Sequence, residues 1–135
     1  MNYWLMKSEP DIYPWERLVK EKRGSWDGVR SYQAANNLRV MQVGDEALFY
    51  HSNIGLAVVG IMKIVKTAYP DPSDASGKFV MVDVAPLKAL PQPLPLKTMK
   101  ADKILSGMAM VKQSRLSVSP VTPCEWQRVL ELGGL

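Results

Sequence analysis

The apolar positions of this chain fall into short runs divided by glycine, proline and small polar residues. Tyr3 to Met6 form the first run, ended by Ser8-Glu9-Pro10-Asp11, and the pattern predicts a strand over residues 2–6. Pro14 suits a helical first turn, Glu16 follows it, and Lys20, Lys22 and Arg23 precede Gly24. That charge order complements a helix dipole and predicts a short helix over 14–22. Ser31 is placed to cap a second helix reaching about Val40, with Ala34, Leu38 and Met41 as its apolar stripe and Arg30, Gln33 and Asn37 on the other side.

Gly44-Asp45 reads as a turn before a strand over 46–52. From Leu56 to Val65 both parities are apolar, as expected of a strand covered on both faces, and residues 79–84 make another. These three strands suggest an antiparallel meander in a barrel wall with helices outside. Between Leu87 and Leu96, prolines at 91, 93 and 95 exclude a central strand and predict an extended connection. A short helix is expected over 98–105 and one or two strands within 108–118. Thr122, Pro123 and Glu125 spell a capping box for a last helix to about Leu132, which stops at Gly133-Gly134. The class is therefore α+β, a small barrel with helices early and late in the chain.

Composition narrows the picture. At 135 residues the length fits one domain, 1–135, and 47% hydrophobic with 22% charged residues is ordinary for a globular protein. No apolar run is long enough to cross a bilayer, and the first residues lack a signal-peptide core, so a cytoplasmic monomer without membrane contact is expected. One cysteine, Cys124, and one histidine, His51, leave no internal disulfide and no Cys/His zinc site, and neither metal nor cofactor is expected. Seventeen Lys and Arg against thirteen Asp and Glu give a net charge of +4, which mildly favours a polyanionic partner.

Catalytic motifs are scarce. Cys124 in a helical first turn with His51 as base is conceivable, but an incidental residue in a capping turn is the simpler reading. Ser52 lacks a nucleophile elbow, and Gly77-Lys78-Phe79 lacks the rest of a phosphate loop. A site for an extruded base, by contrast, needs an aromatic face, polar groups for the base edge and cations for phosphate. Such residues cluster at Lys7-Ser8-Glu9, at Trp26 to Asn37, at Tyr50 to Asn53 and at Ser114 to Ser117. Trp26 is equally readable as a loop tryptophan folded over the core edge.

Six stretches carry a closer likeness: YWLMKSEPD from Tyr3, WDGVR from Trp26, YQAANNLR from Tyr32, GDEALFYHSN from Gly44, YPDP from Tyr69 and QSRLSVSPVT from Gln113. In that order they resemble the EVE domain family of the PUA-like superfamily. The resemblance implies a PUA-like β-barrel of five or six mostly antiparallel strands flanked by short helices, related to the YTH readers of methylated adenine. It also implies a non-enzymatic nucleic-acid-binding module that holds a base, such as methylated cytosine in DNA, in an aromatic-walled pocket. Carried over by position, that pocket would draw on Lys7, Ser8, Trp26, Gly28, Val29, Arg30, His51, Ser52, Asn53, Arg115, Leu116 and Ser117. Trp26 would stack, Ser52 and Asn53 would reach the base edge, and Lys7, Arg30 and Arg115 would meet phosphate or a base carbonyl. Ser31 and Ala35 depart from the family's usual Asn and Arg, which would remove one phosphate contact at 35. Two other readings stand beside it: an RNA-binding module, and an enzyme on a small nucleotide or modified nucleoside with Glu9 as its carboxylate.

Overall fold

The computed structural model describes residues 1–135. Six strands, β1 (Tyr3–Ser8), β2 (Gly24–Trp26), β3 (Glu46–His51), β4 (Ala57–Pro70), β5 (Val80–Pro95) and β6 (Val118–Val121), form one sheet in the order β2-β5-β4-β3-β1-β6. Only β1 and β3 pair in parallel; the other four pairings are antiparallel. The sheet is open, with β2 and β6 at its edges, so the expected barrel is not closed by hydrogen bonds.

Strand alternation divides the apolar residues between two faces. On one face Trp4, Met6, Phe49, Met62, Val82 and Val84 pack against α1 (Trp15–Glu21) and α2 (Tyr32–Val40). On the other, Leu5, Leu48, Tyr50, Val58 and Leu94 meet α3 (Leu96–Ala101), a 3-10 turn at Leu105–Gly107, α4 (Ala109–Lys112) and α5 (Pro123–Leu132). Both faces are covered, which explains the two-parity apolar run of β4. At Gly60 on β4 a Cβ atom would stand 2.5 Å from the Trp15 ring, so only glycine lets α1 dock this closely.

The helix signals are realised in detail. The Ser31 hydroxyl accepts from the Ala34 amide, and Thr122 and Glu125 complete the reciprocal capping box. Pro14 sits just outside α1, whose first amide, Trp15 N–H, donates to His51 Nε2 at 3.1 Å. The last turn of α2 leads to Met41, and Asp45 in the following turn accepts from the Trp4 indole and the Asn2 and Gln42 amides.

Four expectations change. Residues 85–95 are not a free connection but the second half of β5, pairing with β4 alone. The prolines at 91, 93 and 95 alternate with residues whose amides are used: Gln92 N–H donates to Gly133 O and Leu96 N–H, just past the strand, to Leu56 O. Pro is tolerated because this stretch is an edge and its odd positions need no donor. Residues 98–105 divide between α3 and the 3-10 turn. Residues 108–117 hold α4 and a loop instead of a strand, and β6 begins only at Val118. Ser25 and Trp26 lie in β2, a strand concealed by its glycine and serine.

Candidate functional site

Parallel pairing of β1 with β3 places Lys7 beside Tyr50 and Ser8 beside His51 at the ends of both strands. From there the chain enters two loops, and three hollows gather round this corner. Alternation sends Lys7 and Tyr50 toward one face and Ser8 and His51 toward the other.

On the Ser8 side lies the largest cleft, about 630 Å³, within the range of small-ligand sites. Its walls include Lys7 and Ser8 at the end of β1, Glu9 and Tyr13 in the loop that follows, Arg17 from the first turn of α1, and the run Gly24 to Gly28. Trp26 is 7% exposed, its ring edge-on to Phe49 at 5.4 Å and to Tyr13 at 6.4 Å between centroids. Phe49 is also met edge-on by Trp15 and His51. Trp26 thus joins core to cleft, and little of its ring faces solvent.

The turn after Trp26 is fixed from a distant loop. Gly28 has φ +80°, a left-handed conformation that favours glycine, and its amide donates to Asp71 Oδ2 at 2.9 Å. Arg30 donates to the same oxygen at 3.1 Å and to the Ser73 hydroxyl, with its guanidinium over the Phe79 ring. Burial alone would raise the Asp71 pKa, but the Ser73 hydroxyl, the Gly28 and Ser73 amides and Arg30 outweigh it and hold the carboxyl at about 2. Asp71 is the organising residue that sequence reasoning missed; the YPDP stretch containing it is the only signal that could have found it.

Across Lys7 a second hollow of about 340 Å³ is lined by Tyr50, Ser52, Asn53 and Lys100 among others. A third of similar volume holds Gln33, Lys112, Arg115 and Leu116, and shares Ser114 with the second. Lys7 Nζ donates to Ser114 O at 2.8 Å on this divide, and partial burial lowers the affinity of its amine for a proton.

The twelve residues drawn from the sequence therefore divide. Lys7, Ser8, Trp26 and Gly28 line the large cleft. Ser52 and Asn53, expected at the base edge, line the second hollow, not the Trp26 cleft. Arg115 and Leu116 line the third. Val29 is buried in the core, Arg30 is held by Asp71 and Ser73, His51 caps α1, and Ser117 accepts from the Lys7 amide in the chain that leads to β6. Burial is the main influence on His51, lowering its pKa while Glu16 raises it, and the neutral ring is the form that can accept from Trp15. Cys124 stands on α5, a helix covering the opposite face, so no Cys–His pair is assembled. Ala35 is fully buried in this chain. Ile12, Tyr13, Arg17, Glu21, Gly24 and Ser25 complete the large cleft without having been proposed from sequence, while Asp27 was named there only within a polar cluster, and Glu9 within another and as the carboxylate of the enzyme alternative.

Residues 2–132 match the family model described as EVE domain. Thymocyte nuclear protein 1 of Mus musculus is 39% identical, the match covering 97% of this chain and 73% of that protein. The crystal structure of a protein from Agrobacterium tumefaciens is 46% identical with a TM-score of 0.95, covering 100% of this chain and 94% of that one. Human thymocyte nuclear protein 1, crystallised in complex with DNA containing 5-methylcytosine, is 36% identical with a TM-score of 0.92, covering 100% of this chain and 99% of that one. A Zygosaccharomyces rouxii YTH domain shares the fold at 16% identity, with a TM-score of 0.61 over 99% of this chain and 85% of that one.

Proposed function

The chain belongs to the EVE domain family, and on that footing we propose that it is a non-catalytic module, 1–135, that binds nucleic acid by holding one modified cytosine in the cleft beside Trp26. The observation that carries this reading is the cleft itself, walled by Trp26 and Tyr13, in a chain that superposes along its whole length on a relative crystallised with 5-methylcytosine DNA. Asp27 and Glu9 are exposed carboxylates on its rim. A carboxylate accepts from the exocyclic amine of cytosine, which favours an amino-bearing base over thymine or uracil. The aromatic wall supplies apolar surface for a 5-methyl group, and the Gly24–Gly28 backbone permits close approach.

The size of the effect can be bounded. Burying one methyl contributes about 0.8 kcal/mol, roughly a fourfold preference. Fluorescence anisotropy with single-stranded and duplex DNA carrying one 5-methylcytosine, with unmethylated twins and with matched RNA, tests this at low and at physiological salt. Tighter binding of the methylated DNA, by about that factor or more, is expected. No binding of any oligonucleotide at low salt overturns the proposal, and a preference for RNA transfers the site to an RNA ligand, for which the 2′-hydroxyl is the discriminating group.

A further inference from the structure

The charges around the corner where β1 ends are sorted by side. The large cleft is lined by three carboxylates, Glu9, Glu21 and Asp27, against two cations, Lys7 and Arg17, and Arg17 is paired with Glu21 at 3.3 Å. The second and third hollows are lined by Lys7, Lys100, Lys112 and Arg115 and by no carboxylate. Like every other lysine of the chain, these cations form no ion pair; Arg17, Arg23, Arg30 and Arg128 are the residues that do. Lys7 Nζ is half-buried with a neutral carbonyl, Ser114 O, as its hydrogen-bond partner.

We propose that the phosphodiester backbone of the bound nucleic acid runs along the second and third hollows, on Lys7, Lys100, Lys112 and Arg115, while the recognised base crosses Lys7 into the Trp26 cleft. This rests on the base-reading function for its ligand but adds a separate site. Phosphate is repelled by the carboxylates of the cleft and attracted by cations that lack acidic partners. The second and third hollows share Ser114, and the large cleft and the second hollow share Lys7, so the three lie side by side around one corner. Ser52, Asn53 and Gln113 along the proposed path offer neutral polar groups to phosphate oxygens, a common mode of backbone contact. Arg30 has no part in the path, since its guanidinium is held by Asp71 and Ser73.

An abasic single-stranded oligonucleotide isolates the backbone site, because it carries phosphodiesters and no base. The full chain is expected to bind it with a salt-dependent affinity, and the exposed pair Lys100→Gln with Lys112→Gln should reduce the log–log salt slope by about 1.4, roughly 0.7 for each phosphate left without its lysine. Glu9→Gln with Asp27→Asn should leave abasic binding no weaker while loosening an oligonucleotide with one 5-methylcytosine. An unchanged salt slope in the lysine variant overturns the backbone path, even if methylated DNA is still preferred. Conversely, a reduced slope with no preference for the methylated base sinks the base-reading function and leaves the backbone site standing.

Discussion

At the scale of single residues, the conformation of the candidate site depends most on Asp71. Its carboxylate ties Gly28 and Arg30 to a loop 43 and 41 residues away in sequence, and side-chain exposure is 0%. With a folded pKa of about 2 against 3.8 for the free side chain, ionised Asp71 contributes of order 2 kcal/mol of stability. The folded value is depressed, so that contribution is complete above pH 4 and disappears as the pH falls through 2. Asp71→Asn is therefore expected to lower unfolding free energy by about 2 kcal/mol at pH 7, and the gap from wild type should close between pH 4 and 2 in denaturant titrations. A gap that does not change with pH would mean the variant acts through packing alone. None of this could be read from spacing, because the partner of Gly28 lies across the fold. The glycine was legible only as a pocket residue implied by the resemblance, and Trp26 as an aromatic with two readings; it packs against Phe49 and Tyr13 and also lines the cleft. Its alanine variant would open a cavity costing about 3–5 kcal/mol, which makes the exposed Glu9 and Asp27 cleaner probes of binding.

At the scale of elements, caps and stripes were legible because their chemistry is local. Ser31, Thr122, Pro123 and Glu125 act within four residues of themselves, and the Ala34, Leu38 and Met41 stripe docks α2 as its period requires. The misread segments are those whose state is decided by partners. Met108, Met110 and Val118 have the alternation of a strand, yet Leu105, Met108 and Val111 equally satisfy helical spacing, and short apolar runs do not choose between the two. Residues 85–95 are a strand because β4 is long enough to receive them, and their prolines tell which edge they occupy. This can be tested at one position. Gln92→Ala keeps the amide that donates to Gly133 and should change stability by less than about 0.5 kcal/mol. Gln92→Pro removes it and should cost about 1 kcal/mol or more, read as a lower midpoint in thermal or denaturant unfolding. Equal stabilities would show that the edge contributes nothing at this point.

At the scale of the whole molecule, the class and the family were legible while the closure of the sheet was not. Whether a sheet closes depends on pairings such as Gly24 with Val84 and Tyr3 with Glu46, separated by tens of residues, and here β2 and β6 remain apart at opposite edges. The same non-local pairings bring the ends of β1 and β3 together and so create the corner where the hollows meet. A net charge of +4 gave only a mild indication of a polyanion. Its distribution is more informative, with carboxylates concentrated in the Trp26 cleft and cations without acidic partners beyond Lys7. A backbone and a base presented to this corner would be separated by charge and by shape. The most direct test is a backbone and indole N–H chemical-shift map recorded while an oligonucleotide carrying one 5-methylcytosine is titrated into the full chain. The Trp26 indole and the amides from Gly24 to Gly28 are expected to shift and saturate with binding while α5 stays still; saturable binding that leaves the Trp26 indole and those amides unmoved would contradict a base held in this cleft.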